Sequence, residues 1–178
     1  MSPHEAALAA LEGWAPPTQA QAALAEDFVR HLRAHRDGLR RDCFPRHLTA
    51  GAIVLSEEGD RVLLNLHRKA QRWFHFGGHV EDDDADLAAA ALREAHEESG
   101  LADLKLSAEP VQLSAHTVPF CDPRGEVTHL DVRYLALAPA SAVPVVSEES
   151  DSVRWFDVDE LPTDDADMVE LVALARAL

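Results

Sequence analysis

GGHVEDDDADLAAAALREAHEESGL, residues Gly77 to Leu101, is the most informative segment of this chain. Within it, Glu94, Glu97 and Glu98 stand at positions i, i+3 and i+4, which places their carboxylates on one face of an α-helix. Like charges at this spacing repel each other and weaken an isolated helix. A cation among them would remove that penalty, so the pattern predicts a site for a divalent metal ion.

The same stretch carries local signals for one amphipathic helix that begins and ends within it. Asp84 or Asp86 can cap its N-terminus, and Gly100 can adopt the left-handed conformation that ends a helix. Arg93 precedes Glu97 by one turn, so the two side chains are expected to form an ion pair that orients the carboxylate. The buried side is predicted from small and aliphatic residues, which are Leu87, Ala88, Ala91, Leu92 and Ala95.

The glycine pair before the helix adds a further candidate metal ligand. Because Gly77 and Gly78 lack side chains, the backbone can approach an ion closely, and the carbonyl oxygen of Gly77 becomes available to it. Carboxylate and carbonyl oxygens suit Mg²⁺ or Mn²⁺ with bound phosphates better than they suit Zn²⁺. The predicted cofactor is therefore Mg²⁺, or Mn²⁺, held by Gly77 and the three glutamates.

The segment REAHEESGL, Arg93 to Leu101, resembles the second half of the Nudix box, G-x5-E-x7-R-E-U-x-E-E-x-G-U, where U is a bulky aliphatic residue. The first half departs from that form. Counted from Gly78, the acidic position falls on Asp84, and eight rather than seven residues separate it from Arg93. Ala95 also stands where a larger aliphatic is common. The chain fits instead a bacterial Nudix subgroup with the form GGH-x-E-x-x-D-x-x-L before the same helix.

The resemblance implies an activity, namely hydrolysis of a nucleoside diphosphate linked to another moiety by attack of water on phosphorus. It makes Arg93, Glu94 and Glu97 the expected catalytic residues of the helix. A carboxylate beside a cation has a lowered pKa and is a poor base, so the general base is expected outside the helix. Glu148 or Glu149 before the last strand is the candidate, Glu149 being preferred, and the alternative is a solvated loop acid.

The chain from residue 46 to residue 178 is predicted to form one α/β domain, which the resemblance specifies as the Nudix α/β/α sandwich. Apolar and β-branched runs predict strands on both sides of the helix, and strands mixed with helices imply a mixed sheet covered on both faces. The predicted strands are residues 47–55, 61–66, 73–76, 111–116, 129–137 and 153–156, and a closing helix is predicted over 168–178.

Residues 1 to 45 are predicted to form an N-terminal helical extension outside that domain. Apolar spacing indicates a short helix over 3–12, a break at Ala15-Pro16-Pro17, and a longer helix from near Thr18. The apolar stripe of the second helix is expected to pack on the main domain. The extension is interpreted as an appendage, and the alternatives are a lid or an element of a homodimer.

The composition of the chain limits which partners and which cellular location it is expected to have. The chain has 32 acidic and 16 basic residues and a formal charge of −16, which opposes binding to long nucleic acid and favours a small phosphorylated substrate. Cys43 and Cys121 lack CxxC spacing and are expected to be free thiols rather than part of a disulfide framework or a thiolate metal site. No secretion signal or membrane-length apolar run is evident, so the cytoplasm is the expected location, without membrane contact. The substrate-binding residues stay unknown.

Ten histidines suggest a second metal site. His129 and Asp131 are two apart on a predicted strand and so face the same way, His47 starts the first strand, and His79 follows the glycine pair. In isopentenyl-diphosphate isomerases, which share the Nudix fold, histidines at two such positions bind metal. The comparison suggests a metal site at these four residues, and their mixed imidazole and carboxylate ligands suit Zn²⁺, Mn²⁺ or Ni²⁺ better than Mg²⁺. The alternative is that His47 and His79 only hydrogen-bond to loops and that His129 is an ordinary strand residue.

Two other functions compete with hydrolysis. An isomerase would place a cysteine beside the histidine of the glycine turn, whereas the turn reads Gly77-Gly78-His79-Val80. The intact R-E-x-x-E-E-x-G segment also argues against an isomerase. The second rival is a nucleotide-binding Nudix module without turnover, against which the complete set of glutamates counts.

Overall fold

The computed structural model describes residues 1–139, 141–147 and 150–178. The chain forms two helices, a run of four strands, a third helix, four more strands and a closing helix. In chain order these are α1 Pro3–Gly13, α2 Gln19–Ala34, β1 Arg46–Ser56, β2 Arg61–His67, β3 Arg72–Phe74, β4 Phe76–His79, α3 Leu87–Ser99, β5 Lys105–Leu106, β6 Gln112–Asp122, β7 Gly125–Ala138, β8 Ser150–Asp157 and α4 Ala166–Arg176.

The strands form one mixed sheet in which β1 is central. β1 pairs in parallel with β7 along its whole length, from Arg46 opposite Thr128 to Ser56 opposite Ala138. Its other neighbours, β2 and β4, are antiparallel to it. On the outer sides, β8 and β3 pair with β2, and β6 and β5 pair with β7. The predicted mixed sheet is therefore confirmed.

Helices cover both faces of this sheet, as the α/β/α prediction requires. Along β1, Ala52 and Val54 pack in one apolar cluster with Ala95 of α3. The alternate residues Ile53 and Leu55 pack in another cluster, with α4. Since successive side chains of a strand point to opposite faces, α3 and α4 lie on opposite sides of the sheet. Nearly all of β1 is consequently buried.

The ends of α3 follow from the local sequence. Asp86 is the N-cap, and its carboxylate accepts a hydrogen bond from the Ala89 amide over 2.8 Å. Gly100 ends the helix at φ 68°, a left-handed conformation that glycine adopts without steric cost, and donates to the carbonyl oxygen of His96. Of the two predicted capping residues, Asp84 has another role, because it binds Arg93.

The predicted pair of N-terminal helices is present and packs on the sheet. Thr18 caps α2 after the Pro16-Pro17 break, and Phe28 and Leu32 are fully buried in a cluster that includes strand and α3 residues. The side chain of Gln21 forms two hydrogen bonds with the backbone of Leu113 in β6, donating to its carbonyl and accepting from its amide. This helix therefore covers the backbone groups of an outer strand.

The structure extends two strands beyond the sequence prediction. β6 and β7 form a long hairpin that turns between Asp122 and Gly125, whereas strands were predicted only over 111–116 and 129–137. The ladder loses its one-to-one register between Val118 and Asp122, in a segment that contains Pro119. Because such an irregular segment has no period-two pattern, it did not suggest a strand. Within the described residues, no helix is long and apolar enough to cross a membrane.

Candidate active site

The glycine pair of β4 faces the carboxylates of α3. A Cβ atom added at Gly78 would lie 2.5 Å from Oε1 of Glu94 and 2.7 Å from its carboxyl carbon. The backbone amide of Gly77 donates a hydrogen bond to Oε2 of Glu98 over 3.0 Å. Gly78 thus lets the Glu94 carboxylate rest against the strand, whereas a Cβ at Gly77 would meet the backbone of β1, 2.7 Å from the Cα of Gly51.

Arg93 organises the acidic side chains around it. Its Nη2 donates to Asp84 over 2.8 Å and its Nε donates to the other oxygen of that carboxylate over 3.1 Å. Its Nη1 donates to Glu94 over 3.0 Å and to Glu97 over 3.3 Å, so the Arg93–Glu97 contact expected from the spacing is present. Nη2 also donates to the backbone carbonyl oxygen of His79 over 3.0 Å.

The surroundings of Asp84 and Arg93 favour the charged forms of both side chains. Burial opposes ionisation of Asp84, but hydrogen bonds from Arg93 and from the amide of Glu81 lower its pKa below the usual value. The hydrogen bond to Asp84 is the largest cause that raises the pKa of Arg93. Arg93 supplies one positive charge to four carboxylates within 4.0 Å, those of Glu81, Asp84, Glu94 and Glu97. The group therefore keeps a net negative charge that a divalent cation would balance.

The three glutamates differ in exposure. Glu98 is buried, Glu94 is half-buried, and 61% of the Glu97 side chain is exposed. Within the described residues, their carboxylates are not gathered around one point, because Arg93 holds Glu94 and Glu97. Their oxygen chemistry and the cradle at Gly78 nevertheless fit Mg²⁺ or Mn²⁺, with the exposed Glu97 able to rotate towards an ion. Gly77, the fourth predicted ligand, lies beside Glu98.

The candidate general base cannot be placed, because Glu148 and Glu149 lie outside the described residues. Two aromatic residues near the site, Phe76 and Tyr134, are fully or almost fully buried in apolar clusters and so serve the core.

Three histidines of the predicted second site lie together, beside a cysteine. His47, His79, His129 and Cys121 each offer one ligand atom, and these four atoms all lie within 4.8 Å of one another. Asp131 is not with them. Its carboxylate binds Arg133 over 2.7 Å, His75 over 3.1 Å and Thr49 over 2.9 Å.

The displacement of Asp131 has a simple cause. His129 and Asp131 pair with His47 and Thr49 of β1 and so share a face of the sheet, as predicted. The carboxylate of Asp131 instead binds the buried guanidinium of Arg133, two residues further along β7. This cation counteracts burial and holds the pKa of Asp131 well below its usual value.

Burial shapes the protonation of the histidine group. It is the largest cause that lowers the pKa of His79 to about 4 and that of His129 to about 3, and neighbouring imidazoles lower both further. Burial also lowers the pKa of His47. At neutral pH the three rings are therefore uncharged, which is the form that binds metal ions.

Cys121 is the member of this group that the sequence did not reveal. Both cysteines are free, as expected, but the lack of a CxxC motif hid the position of Cys121 beside the histidines. It lies in the irregular part of the β6–β7 hairpin, where counting residues back from the turn does not give the facing residue. The nearest signal in the sequence is a cysteine eight residues before His129, across a Pro-Arg-Gly turn.

Residues 45–175 match the family model described as NUDIX domain. The chain belongs to the Nudix family. This membership agrees with the Arg93–Leu101 motif and identifies the chain as a Nudix pyrophosphohydrolase. No protein of curated function matches the sequence significantly.

Solved Nudix structures resemble the chain over most of their length. A MutT NUDIX hydrolase from Burkholderia pseudomallei is 25% identical, with 71% of this chain and 95% of that chain covered and a TM-score of 0.50. The Ap4A hydrolase of C. elegans, in a binary complex, is 20% identical, with 73% and 95% covered and a TM-score of 0.59. The NUDIX domain of Shewanella oneidensis NrtR, complexed with ADP ribose, is 21% identical, with 73% and 86% covered and a TM-score of 0.55. The last two likenesses establish the shared fold.

Proposed function

We propose that this Nudix protein hydrolyses a diphosphate linkage in a nucleoside diphosphate derivative, using Mg²⁺ or Mn²⁺ held by Glu94, Glu97, Glu98 and the carbonyl of Gly77. The observation that carries the proposal is the contact of the Glu94 carboxylate with Gly78, 2.5 Å from where a Cβ would lie. A helix with three acidic residues is usually a solvated surface. Here one of the carboxylates occupies space that only glycine leaves open, beside a backbone that can also supply a ligand.

The residues around the ion have separate tasks. The metal ion, when bound, would neutralise the diphosphate and lower the pKa of the attacking water. Glu98 is held in position by the Gly77 amide, and Arg93 orients Glu94 and Glu97 while anchored to Asp84. Glu149 is the proposed general base, since it precedes β8 and does not belong to the metal-binding helix.

A small nucleotide is the proposed substrate. The charge of −16 disfavours long nucleic acid, and a metal ion meets the charge of a diphosphate locally. The relatives in complexes point the same way, because one is an Ap4A hydrolase and another binds ADP ribose. The cytoplasm, where such nucleotides occur, is the proposed location.

The test is a release assay with a panel of diphosphates. Purified protein is incubated with Mg²⁺ and ADP-ribose, diadenosine polyphosphate, nucleoside triphosphates or isopentenyl diphosphate, and the products are identified. We expect Mg²⁺-dependent cleavage of at least one nucleotide. Glu97→Gln should lower the rate about 10²-fold or more, because the amide keeps the volume and loses the charge-assisted metal bond. Glu26→Gln, an exposed glutamate of α2, is the matched control.

Each rival function predicts a different result in the same panel. Isomerisation of isopentenyl diphosphate without nucleotide cleavage would indicate the isomerase. Calorimetric binding of a nucleotide without turnover would indicate a binding module. An unchanged rate in Glu97→Gln would contradict the assignment of the metal ligands.

A further inference from the structure

We propose that His47, His79, Cys121 and His129 form a tetrahedral zinc site that is distinct from the glutamate site and stabilises the fold. Four side chains supply three imidazole nitrogens and one sulfur, which is a ligand set typical of zinc. The set is complete without a water molecule or a substrate. Closed sites with four protein ligands are structural, whereas catalytic zinc sites keep an open position.

The distances between the ligand atoms fit such a site. With zinc bonds of about 2.0 Å to nitrogen and about 2.3 Å to sulfur, tetrahedral geometry separates nitrogen and sulfur by about 3.6 Å. Sγ of Cys121 lies 3.3 Å from Nε2 of His129, 3.4 Å from Nε2 of His79 and 4.0 Å from Nε2 of His47. The observed separations bracket the expected value, so only small side-chain movements are needed to bind the ion.

A hydrogen bond outside the group prepares one of the ligands. Nδ1 of His47 lies 3.2 Å from the backbone carbonyl oxygen of Cys43. A carbonyl can only accept, so this nitrogen carries the proton and Nε2 keeps its lone pair directed at the group. Histidines that bind metal usually donate their other N–H to a carbonyl or carboxylate in this way.

Hydrogen bonding alone explains the cluster poorly. A thiol has one proton and is a weak acceptor, yet Sγ of Cys121 contacts three imidazole nitrogens. At most one of these contacts can be donated by the thiol, and the others need a weak sulfur acceptor. A thiolate bound to zinc instead lets all four lone pairs point at a common centre, which accounts for every contact.

The four ligands come from four different strands. His47 is the second residue of β1, His79 ends β4, Cys121 lies near the end of β6, and His129 is on β7. A shared ion would therefore fasten the irregular end of the β6–β7 hairpin to the central strand and to the strand of the glycine pair. Because such a closed site is absent from the unfolded chain, its binding free energy becomes folding free energy.

A second group of potential ligands, His35, Asp37 and Cys43, is a weaker candidate. His35 and Asp37 are exposed, and the group offers three ligands rather than four. Burial is the main cause that raises the pKa of the Cys43 thiol to about 11, which disfavours the thiolate. The two groups contain the two cysteines of the chain, so one serine variant disables each.

Metal analysis of the cysteine variants tests the proposal. The full-length protein, Cys121→Ser and Cys43→Ser are expressed with zinc, dialysed and measured by mass spectrometry for metal per chain. We expect one zinc per chain in the unmodified protein and in Cys43→Ser, and an affinity at least tenfold weaker in Cys121→Ser. A chelator should lower the unfolding temperature of the unmodified protein and of Cys43→Ser, and added zinc should restore it.

A cobalt titration of the unmodified protein tests the site without requiring that any variant folds. Chelated full-length protein is titrated with Co²⁺, and a thiolate-to-cobalt charge-transfer band with the intense visible bands of a tetrahedral ion is expected. The band should persist in Cys43→Ser and vanish in Cys121→Ser. A titration of the unmodified protein without a thiolate band would overturn the proposal, as would loss of zinc from Cys43→Ser alone.

Discussion

Arg93 and His79 are joined by a hydrogen bond of 3.0 Å from the guanidinium to the backbone carbonyl. The guanidinium also binds Glu94 of the proposed hydrolytic site, whereas the ring of His79 lies 3.4 Å from the sulfur of Cys121. The arginine of the Nudix helix is thus bound to the strand residue that belongs to the histidine group. A change in the backbone position of His79 is therefore expected to move Arg93 and, with it, the carboxylates of Glu94 and Glu97.

Gly78→Ala should damage the hydrolytic site and spare the fold. The new methyl group would meet the Glu94 carboxylate, which is the flexible end of a side chain and can move away. A displacement of about 1 Å in a catalytic group can cost about 10²-fold in rate. We expect a loss of that order at unchanged unfolding temperature, measured by turnover and calorimetry.

Gly13→Ala is the matched control for that substitution, because a Cβ at Gly13 would have no neighbour within 4 Å. Full activity of Gly78→Ala would contradict the proposed position of Glu94. A large loss of stability would show instead that the backbone, rather than the carboxylate, has to move.

Asp84→Asn should destabilise the protein by about 2 kcal/mol. The buried carboxylate of Asp84 accepts two hydrogen bonds from the Arg93 guanidinium, and the substitution removes the negative charge that pairs with it. Turnover should fall less than in Glu97→Gln, since Asp84 acts only through Arg93. Urea unfolding and initial rates measure the two effects. Asp82→Asn, whose side chain is 86% exposed, should change stability by less than about 0.5 kcal/mol. Equal effects of both variants would refute the role given to Asp84.

His31 should make stability depend on pH. Burial is the largest cause that lowers its pKa to about 4 in the folded protein, from 6.5 in the unfolded chain. Between these values the unfolded chain binds more protons, so stability falls as the pH falls from 6.5 to about 4. The charges that act on the ring are His35 and Arg46, which lower its pKa, and Asp27 and Asp37, which raise it.

His31→Phe should flatten this part of the pH profile. Phenylalanine keeps a buried ring, does not titrate, and replaces an Nε2 atom that lacks a hydrogen-bond partner among the described residues. Urea midpoints measured from pH 4 to 8 should converge or cross below pH 6.5, while the two profiles run parallel above pH 7. Parallel profiles throughout would mean that His31 does not titrate as stated.

Deleting residues 1–39 should cause aggregation or a changed oligomeric state. The deletion removes Phe28 and Leu32 from the apolar cluster and exposes the backbone of Leu113. Size-exclusion chromatography with light scattering measures the outcome. Gln21→Ala tests the cover over the edge of β6 alone. It should lower the free energy of unfolding by about 1 to 3 kcal/mol, because the buried amide and carbonyl of Leu113 lose their partner. A monomeric truncated protein with weaker substrate binding alone would favour a lid over the proposed appendage.

The parts that sequence predicted correctly are those with local causes. Asp86, Gly100 and the alternation of alanines with charged residues act within one helix, so α3 follows from its own residues. The contact of Arg93 with Glu97 follows from a spacing of one turn. The presence of the N-terminal helices likewise follows from the proline break and the cap at Thr18.

The features that could not be predicted from the sequence depend on contacts between residues that are far apart in the chain. Asp131 faces the predicted side, but its partners His75 and Arg133 are set by the sheet, not by spacing. Cys121 reaches the histidines through an irregular hairpin whose register residue counting does not supply. The partner of Asp84 also depends on how the loop before α3 folds back onto the helix.

The four residues of β4 serve two centres at once. Gly78 makes room for the Glu94 carboxylate, the amide of Gly77 binds Glu98, and His79, the next residue, turns its ring towards Cys121. A single inserted or deleted residue would reverse the face of every side chain on one side of the change. Evolution and protein engineering are therefore expected to vary the length of the neighbouring loops while the length of β4 stays constant, because no one change could repair both centres.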